Sequence, residues 1–486
     1  MRQRSLLCAS ALLLLIQGRA QTELSVFSST GRAAATTFVT DYQSLGINPA
    51  NLGWAWRHEG KKFSFGLLEG TYSIYSDALT RDEMRNRMMD GNFRFTQAEK
   101  EKAGRDFANA GIIANVDLML LGFSYYHERL GGFGFQVRDR VMCSTRFGPR
   151  MSQIAFEGYG SDYFDLLVLI TGDTVSNYPN MSPDSLALVT LGLATDPQLL
   201  GSVMNDSHIS STWYREYNVS YGHYLVRNDD FELDAGVGLK YLVGIGIIDI
   251  NVKNKEIQGF SALSEDLGID QETLERDSDA KVNARNLSFP RAAGTGIGVD
   301  LGFSAILRKE WRFGAALTNL GSIKWTGNTY TVADGSFAEL ATAGLMNYNL
   351  LDGLDIFVSD DSLMRWEAGA SRRVPLASTV RLGAGKLLGK KAEVGVDAVI
   401  PLNSEPGSLE NPLVGLGGDY RPLRWLQLSA GLMVGGGYDT KLPVGVTFIA
   451  GNGTYEAGIA SRDVITYFSE KDPTVSLSLG FLRFRF

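Results

Sequence analysis

The sequence lacks several features that define common classes of protein. Beyond its first 20 positions it has no run of about 18 uncharged apolar residues, which excludes a helical membrane protein. Its four histidines do not have the paired helical spacing of a hydrolytic zinc site, so we expect no metal. The formal net charge of −8 argues against nucleic acid as a partner. Glycine repeats such as Gly294 and Gly296 occur without a following helix start, so we expect no nucleotide cofactor.

Cysteine is scarce, and one of the two cysteines lies in an N-terminal leader. Residues 1–20 begin with two arginines, continue with an apolar run that contains Cys8, and end with small residues at Ala20. This layout is typical of a secretory signal peptide, and we expect cleavage after Ala20. Cys143 is then the only cysteine of the exported chain, so no internal disulfide is expected to stabilise the fold.

The segment from Phe231 to Ile247 contains the strongest pattern in the chain. Its odd positions are all apolar, whereas its even positions are nearly all charged residues or glycine. A period of two is typical of a strand with two unlike faces, because successive side chains point to opposite sides. The segment is roughly three times as long as a usual soluble strand, whereas a tilted strand that crosses a bilayer needs about ten residues. The pattern therefore predicts a transmembrane strand on which Val237 and Leu239 face lipid.

Segments with the same period recur along the chain. The segment from Thr295 to Leu307 alternates apolar residues such as Val299 with glycines and Asp300, and shorter segments follow between positions 380 and 459. We count about 14 to 16 candidate strands, which lies in the range of single-chain barrels. The sequence therefore predicts an all-β fold, a transmembrane antiparallel β-barrel over residues 54–486, in the outer membrane of a Gram-negative cell.

Three insertions interrupt the predicted barrel near residues 80–108, 148–210 and 249–290. In the first, Thr80 with Glu83 and Thr96 with Glu99 fit the capping box, so we expect two short polar helices. In the second, Ser182-Pro183 can cap a helix that continues to Leu193. The third is a long acidic loop, which we interpret as a solvated surface because it lacks the alternation of a calcium loop.

Residues 21–53 have no sustained alternation and are rich in small and turn-forming residues, so we interpret them as a plug. Within them Gly31-Arg32-Ala33, Asp41 and Asn48-Pro49-Ala50 resemble the N-terminal hatch of the outer-membrane fatty-acid transporter (FadL-like) family, and barrel proteins attached to type IX secretion are similar there. The resemblance implies 14 strands and a hydrophobic ligand. Two observations stand beside it. Asn48-Pro49 can also make a tight turn into the first strand, and the insertions are longer than those expected of a plain transporter.

The polar phase of the predicted strands supplies candidates for the lining of the lumen. Charges of both signs suit either a transport path or the interior of a plugged barrel. The candidates are Gln136, Arg138, Glu232, Asp234, Lys240, Asp300, Arg381, Glu393 and Asp397.

At the C-terminus Leu482, Phe484 and Phe486 share one face, and the last residue is aromatic. This pattern resembles the signal that barrel-insertion machinery reads. The apolar residues from Val475 to Phe481 occupy the opposite phase, so we expect either a bulge near Phe481 or burial of the upper part of the strand on both faces.

Three classes of function remain open. A plug favours a transporter of hydrophobic small molecules across the outer membrane, because an occluded lumen needs a movable gate. Long insertions favour a non-enzymatic accessory or docking protein for secretion or surface assembly. A lipid hydrolase is the remote alternative, because His223 falls in the lipid-facing phase, although aromatic neighbours such as Tyr221 are more typical of an interfacial girdle. We expect no enzyme and no catalytic residue, and the expected partners are outer-membrane lipid, the barrel-assembly machinery, a hydrophobic ligand, and a secreted or periplasmic protein.

Overall fold

Fourteen antiparallel strands close into a transmembrane β-barrel, as the sequence predicts. A computed structural model describes residues 26–54, 61–88, 90–178, 181–267, 289–348 and 365–486. The predicted leader at 1–20 and most of the acidic loop lie outside these residues. The barrel strands are β1 Phe63–Ser76, β2 Gly111–His127, β3 Gly131–Arg146, β4 His208–Arg227, β5 Phe231–Lys253, β6 Gly294–Leu307, β7 Trp311–Trp325, β8 Thr379–Leu388, β9 Ala392–Pro401, β10 Leu413–Leu423, β11 Leu426–Gly435, β12 Val444–Ala450, β13 Tyr455–Ser461 and β14 Thr474–Arg485.

Each strand pairs with the next one along the chain, and β1 pairs with both β2 and β14, which closes the barrel. Tight turns join the strands at one end, here called the turn end, at 128–130, 228–230, 308–310, 389–391 and 424–425. The longer connections all lie at the other end, here called the loop end. The first barrel strand, β1, is continuous from Phe63 to Ser76.

Facing along β5 and β6 agrees with the predicted phase. Val237 and Leu239 are 38% and 60% exposed, and Val299 is half-buried between exposed neighbours on the outer wall. Asp234, Lys240 and Asp300 are buried on the inner side. The outward side chains of the other strands are also mostly apolar, as a wall in contact with hydrocarbon requires.

The predicted phase of β5 fails beyond Gly244 because of a bulge. Tyr214 pairs with Gly244 while Trp213 pairs with Gly246, so Ile245 is an extra residue on β5. A bulge reverses the phase of every residue after it. Ile247, which belongs to the lipid-facing phase of the sequence pattern, is therefore fully buried on the lumen side.

The bulge expected in the last strand is present. Glu456 pairs with Arg483 while Gly458 pairs with Gly480, so β14 has one extra residue next to Phe481. Phe481 and Leu482 are both exposed on the outer wall. The bulge thus lets both phases of the terminal pattern contribute apolar side chains to the same surface.

The helices are short, and no helix in the described residues is long and apolar enough to cross a membrane. Both predicted capping boxes form: Thr80 and Glu83 bond reciprocally, as do Thr96 and Glu99. The longest helices are α1 Gln97–Asp106 and α2 Pro149–Glu157. The others are Phe27–Thr30, Pro183–Leu186 and Leu200–Val203, the π-helix Glu83–Arg87, and the 3-10 turns Asp41–Ser44, Pro49–Gly53, Gly158–Gly160, Glu265–Leu267, Gly451–Gly453 and Ile465–Tyr467.

The long helix expected from Ser182 to Leu193 is wrong. A helix occupies only Pro183–Leu186, and Val189–Leu199 is a strand of a separate four-stranded sheet. Its partners satisfy the backbone of this segment, which overrides its local helical signal. The remaining strands of that sheet are Leu166–Leu169, Thr174–Ser176 and Ser336–Leu340.

The boundaries of the insertions also differ from those expected. Strand β5 continues to Lys253 and forms a hairpin with Glu256–Leu263, so the third insertion begins later than position 249. A fourth insertion, between β7 and β8, was not predicted. Its strands extend the barrel wall at the loop end, and they are Thr329–Ala333, Arg365–Ala368 and Arg372–Pro375.

Two apolar clusters cover opposite faces of the wall near the loop end. Val141 and Cys143 belong to the first, which the insertions form with α1 and α2 around Phe107 and Phe156. Met142, between them in sequence, belongs to the second, which lies on the lumen side. The insertions therefore make a folded domain with its own core, here called the loop-end domain, which packs on the outside of the extended wall.

Candidate functional site

The described N-terminal segment, residues 26–54, fills the barrel interior as a plug. Nearly all of its residues are buried, and short helical turns at Asp41–Ser44 and Pro49–Gly53 give it shape. Its own apolar side chains pack on each other, in a cluster of Val26, Ala35, Val39 and Ile47. The plug is therefore a small folded unit rather than a strand of the wall.

Asp41 anchors the plug to the last barrel strand. Its carboxylate accepts a hydrogen bond of 2.6 Å from the Arg483 guanidinium, which also contacts Glu456 at 2.8 Å. The backbone of Asp41 has φ +54, a conformation that is costly for a non-glycine residue and is retained only where its surroundings fix it. The next residues, Tyr42 and Gln43, both donate to the Glu69 carboxylate of β1, Gln43 at 2.8 Å.

A second set of contacts ties the plug to β9 and β10. The Asp397 carboxylate accepts hydrogen bonds from the backbone N–H groups of Ala35 and Thr36, each at 2.7 Å. Arg32 forms an ion pair with Asp419 and lies over the Phe38 ring. Charged side chains of the wall thus supply hydrogen-bond partners to backbone and side-chain groups of the plug, which an irregular segment cannot pair within itself.

Asn48-Pro49-Ala50 packs where the wall is thinnest. The Asn48 side chain accepts from the Ala50 N–H and donates to the Phe303 carbonyl oxygen at 3.1 Å. A Cβ atom at Gly302 would lie 2.1 Å from the Asn48 Oδ1 atom, and one at Gly236 would lie 2.3 Å from the Ala50 nitrogen. Both wall positions favour glycine, because the Asn48 side chain approaches Gly302 and the plug backbone approaches Gly236 too closely for an added Cβ atom.

The predicted lumen residues all lie on the inner side of the wall, but they do different things. Gln136 donates to the Tyr42 carbonyl oxygen, and Asp397 holds the plug as described. Arg381 is 2% exposed. Three candidates form ion pairs with other wall residues, namely Arg138 with Asp117, Glu232 with Arg227 and Glu393 with Arg312.

Lys240 and Asp300 form the centre of a buried charged layer that lies above the plug, that is, on its loop-end side. The Lys240 ammonium lies 3.0 Å from Asp300 and 3.5 Å from Glu216. It also donates to the side chain of Asn319, whose backbone N–H donates to Asp300 at 2.8 Å. Asn319 reaches this layer because a bulge in the pairing of β6 with β7 turns it inward.

Asp234 is the exception among the buried carboxylates. It is fully buried beside Gly53, and among the residues that the structure describes neither of its oxygens has a hydrogen-bond partner. The neighbouring Glu232 takes up the nearby cation, since Arg227 lies 2.7 Å from it and 3.1 Å from the Gly53 carbonyl oxygen.

Sequence reasoning missed several residues that hold the plug. Arg483, Glu456, Asp419, Glu69 and Arg312 all make plug or lumen contacts. Each stands in the inward phase of its strand, as Arg312 does between Trp311 and Phe313. Alternation along the strand would have found Asp419, Glu456 and Arg312, whereas Glu69 and Arg483 face inward only because irregularities at Leu68 and Phe481 shift the phase of β1 and β14.

Above the charged layer the lumen becomes apolar. This section, here called the apolar chamber, contains a residual cavity of about 20 Å³, which is close to the space of one water molecule. An apolar lining is unusual for a barrel lumen, which is generally polar. The chamber is formed by Met142, Tyr214, Leu242, Ile247, Phe260, Ala262, Ala293, Ile323, Trp325, Val374 and Leu376.

Below the charged layer a larger cavity of about 380 Å³ lies between the plug and the wall and reaches the turn end. This cavity, here called the vestibule, is strongly polar. Its charged lining residues are Arg32, Arg312, Lys390, Lys391, Arg421, Arg483 and Arg485 with Glu393, Asp419 and Glu456.

Within the described residues, His223 has no hydrogen bond to a serine. Its ring nitrogens lie 2.5 Å from the Tyr224 carbonyl oxygen and 3.1 Å from the Arg129 carbonyl oxygen. Main-chain contacts of this kind fix the ring next to Tyr221 and do not prepare it to take a proton from a hydroxyl nucleophile.

Solved barrel structures resemble this one at low sequence identity. The Ralstonia pickettii toluene transporter TbuX is 12% identical, with 98% of this chain and 100% of that chain covered and a TM-score of 0.43. The Pseudomonas putida toluene transporter TodX is 10% identical, with coverages of 96% and 99% and a TM-score of 0.42. A Pseudomonas aeruginosa FadL homologue is 11% identical, with coverages of 96% and 98% and a TM-score of 0.38.

A search of curated proteins finds no match. A protein family without an assigned function, described as "Family of unknown function (DUF5723)", matches residues 175–453. The match includes most of β4 to β12 and more than half of the chain, so this plugged fourteen-stranded barrel belongs to the DUF5723 family.

Proposed function

We propose that this chain transports hydrophobic small molecules across the outer membrane. The observation that carries the proposal is the apolar chamber, which lies inside the lumen and is separated from the folded plug by the charged layer around Lys240. A barrel that only needed a filled interior would use polar side chains there, as the charged layer around Lys240 does. Apolar side chains facing a lumen instead favour a ligand that is itself apolar.

The proposed orientation follows from the connections. Outer-membrane barrels have short periplasmic turns and longer extracellular loops. We therefore assign the turn end to the periplasm and the loop end to the cell exterior. In this orientation a ligand from outside meets the apolar chamber first, then the charged layer, and then the plug and its vestibule.

The contacts between plug and wall favour a plug that can move. They include hydrogen bonds and ion pairs, such as those of Asp41 and Asp397, and water can replace such contacts at low net cost. Val26, Ala35, Val39 and Ile47 pack within the plug itself and can stay packed when it shifts, whereas Phe27 and Phe38 pack against glycines of the wall. Movement of this unit would connect the chamber with the periplasm.

Extraction and mass spectrometry of the purified protein test the ligand class. We expect a hydrophobic molecule to co-purify with the wild-type chain and to be depleted in Leu376→Asn, because Leu376 is buried and lines the chamber. Leu402→Asn is the matched control, since Leu402 is 50% exposed in a loop. Equal retention by both variants, or no retention by the wild type, would contradict the proposal.

A second function, docking of a secreted protein, is favoured by the loop-end domain. This domain has its own core around Phe107, Phe156 and Tyr348, which membrane crossing does not require. Removal of residues 149–203, the largest insertion of this domain, separates the two functions, because a transporter keeps its bound hydrophobic molecule without this insertion and a docking protein loses its secreted partner.

A further inference from the structure

The turn end carries a strongly uneven charge distribution. Three successive turns on one side, between β6 and β7, β8 and β9, and β10 and β11, carry together with the adjoining β10 residue Arg421 six exposed cations and one carboxylate, Glu310. The charged turns on the other side carry Glu128, Asp229 and Asp230 with Arg129, and Lys62, directly before β1, lies 3.8 Å from Glu128. The six cations, here called the basic arc, are Arg308, Lys309, Lys390, Lys391, Arg421 and Arg424.

The basic arc continues into the vestibule. Lys390, Lys391 and Arg421 belong to the arc and also line the cavity of about 380 Å³. The full lining has seven cations against three carboxylates, and the excess lies at the rim, because the four inner cations pair with carboxylates of the wall and with Asp41 of the plug. A concave site lined by one sign of charge between low-dielectric walls concentrates the field and attracts the opposite charge.

The inner and outer cations differ in their partners. Inside the vestibule Arg32 pairs with Asp419 and Arg483 with Glu456, so these charges hold the fold. At the rim, within the described part of the chain, Lys390, Lys391 and Arg424 make no ion pair. The rim cations are therefore available to a ligand, whereas the charges of the inner ones are balanced by their carboxylate partners.

The length of the arc indicates the size of the ligand. Its first and last turns are separated by four strand spacings, which amounts to roughly 19 Å at about 4.8 Å per strand. An extended peptide covers this distance with about six residues. A single small anion can contact only one of the three turns, and a lipid headgroup in the surrounding bilayer cannot reach the vestibule, which lies inside the barrel.

We infer that the basic arc and the vestibule bind an extended acidic segment of a periplasmic protein. Carboxylates of the segment contact the rim cations, and one end of the segment enters the vestibule below the plug. This inference goes beyond the proposed transport and does not depend on it.

Fluorescence anisotropy with a labelled, glutamate-rich octapeptide tests the inference on the full-length protein in detergent. We expect saturable binding at low ionic strength that weakens as salt is added. The double variant Lys390→Glu, Lys391→Glu should weaken binding by about tenfold or more, because it reverses two charges at the mouth of the vestibule. Lys253→Glu, Lys255→Glu is the matched control, with the same charge change at exposed positions of the loop end.

Folding of each variant is checked by heat-modifiable gel migration. Peptide binding is then compared only between variants whose barrel is folded. No binding of the peptide, or equal weakening by both double variants, overturns the inference. Displacement of the peptide by an equal concentration of glutarate or of short-chain phosphatidylglycerol also overturns it, in favour of a small anion or a lipid headgroup. Peptide binding does not require a bound hydrophobic molecule. The proposed transport and the proposed peptide binding can therefore be contradicted independently of each other.

Discussion

Lys240 shows at the scale of single residues how the barrel interior tolerates charge. Its ammonium is almost fully buried but lies between Asp300 and Glu216 and donates to Asn319. Burying an ion is costly, and the cost is offset only where every partner is in place.

Lys240→Met should therefore destabilise the barrel by about 3 to 5 kcal/mol, because two carboxylates lose their buried cation. Lys240→Met with Asp300→Asn should recover part of this loss, since only Glu216 then stays unpaired. Lys324→Met is the control, because Lys324 is exposed. Guanidinium unfolding in lipid vesicles measures the effect, and an equal loss for Lys240→Met and Lys324→Met would show that the charged layer is not formed.

Leu239 tests the lipid-facing side of the same strand. Leu239→Arg should cost about 2 to 4 kcal/mol if position 239 lies near the middle of the bilayer, because a guanidinium is poorly solvated there. Leu402→Arg introduces the same charge in an exposed loop and should cost little. The same unfolding measurement applies, and equal stabilities of the two variants would place Leu239 outside the hydrocarbon.

Glu157 makes the loop-end domain sensitive to pH. Burial at the end of α2 raises its pKa to about 7, and the negative Glu101 adds to the effect. Because the pKa in the folded state is above the unfolded value, the stabilisation is complete below about pH 4.5 and is lost as the pH rises through about 7.

Glu157→Gln should therefore make α2 more stable at pH 8 and should reduce the change in its stability between pH 5 and pH 8. Amide hydrogen exchange of residues 149–157 measures this stability locally. Glu256→Gln, at an exposed position of the hairpin next to β5, is the control. If Glu157→Gln and the wild type exchange alike at both pH values, Glu157 does not control the domain.

At the scale of elements, the sequence was most informative where local chemistry alone decides the structure. The two capping boxes formed as predicted, because each needs only its own four residues. The segment from Ser182 also has a local helix signal, but partners distant in sequence make Val189–Leu199 a strand. In the same way the bulge at Ile245 depends on β4, so the alternation of β5 could not reveal that Ile247 faces the lumen.

The last strand has a terminal element that we expect assembly to require. The Phe486 N–H donates to the Phe63 carbonyl oxygen, and its ring lies near those of Phe484 and Phe63 at the closing seam. Phe486→Ser should impair assembly strongly, because it removes the terminal aromatic group.

Arg485→Ser is a poor control for this change, since Arg485 contacts Glu456 inside the barrel. Phe468→Ser is better, because Phe468 is 87% exposed in a loop. The folded fraction, read from heat-modifiable migration, should fall only for Phe486→Ser. Equal folding of the two variants would discard the insertion-signal interpretation.

At the scale of the whole molecule, barrel closure creates sites that no segment of sequence contains. The basic arc combines turns at 308–310, 389–391 and 421–425, which are neighbours only because consecutive hairpins stand side by side. The apolar chamber likewise combines Met142 with Trp325 and Leu376 across the lumen. Alternation of apolar and polar residues predicts which side chains face lipid, and the absence of alternation predicts the plug. The basic arc and the apolar chamber, in contrast, follow only from the order of the strands in the barrel.

Conductance in a planar bilayer tests most directly the central claim, that residues 26–54 close the lumen and can open it. Deletion of residues 26–50 should leave a folded barrel, because water then solvates Asp397, Asp419 and Arg483 in place of the plug. We expect this variant to conduct ions in discrete steps while the full-length protein stays nearly closed. If the two conduct alike, the plug does not close the lumen, and the proposed transport loses its gate.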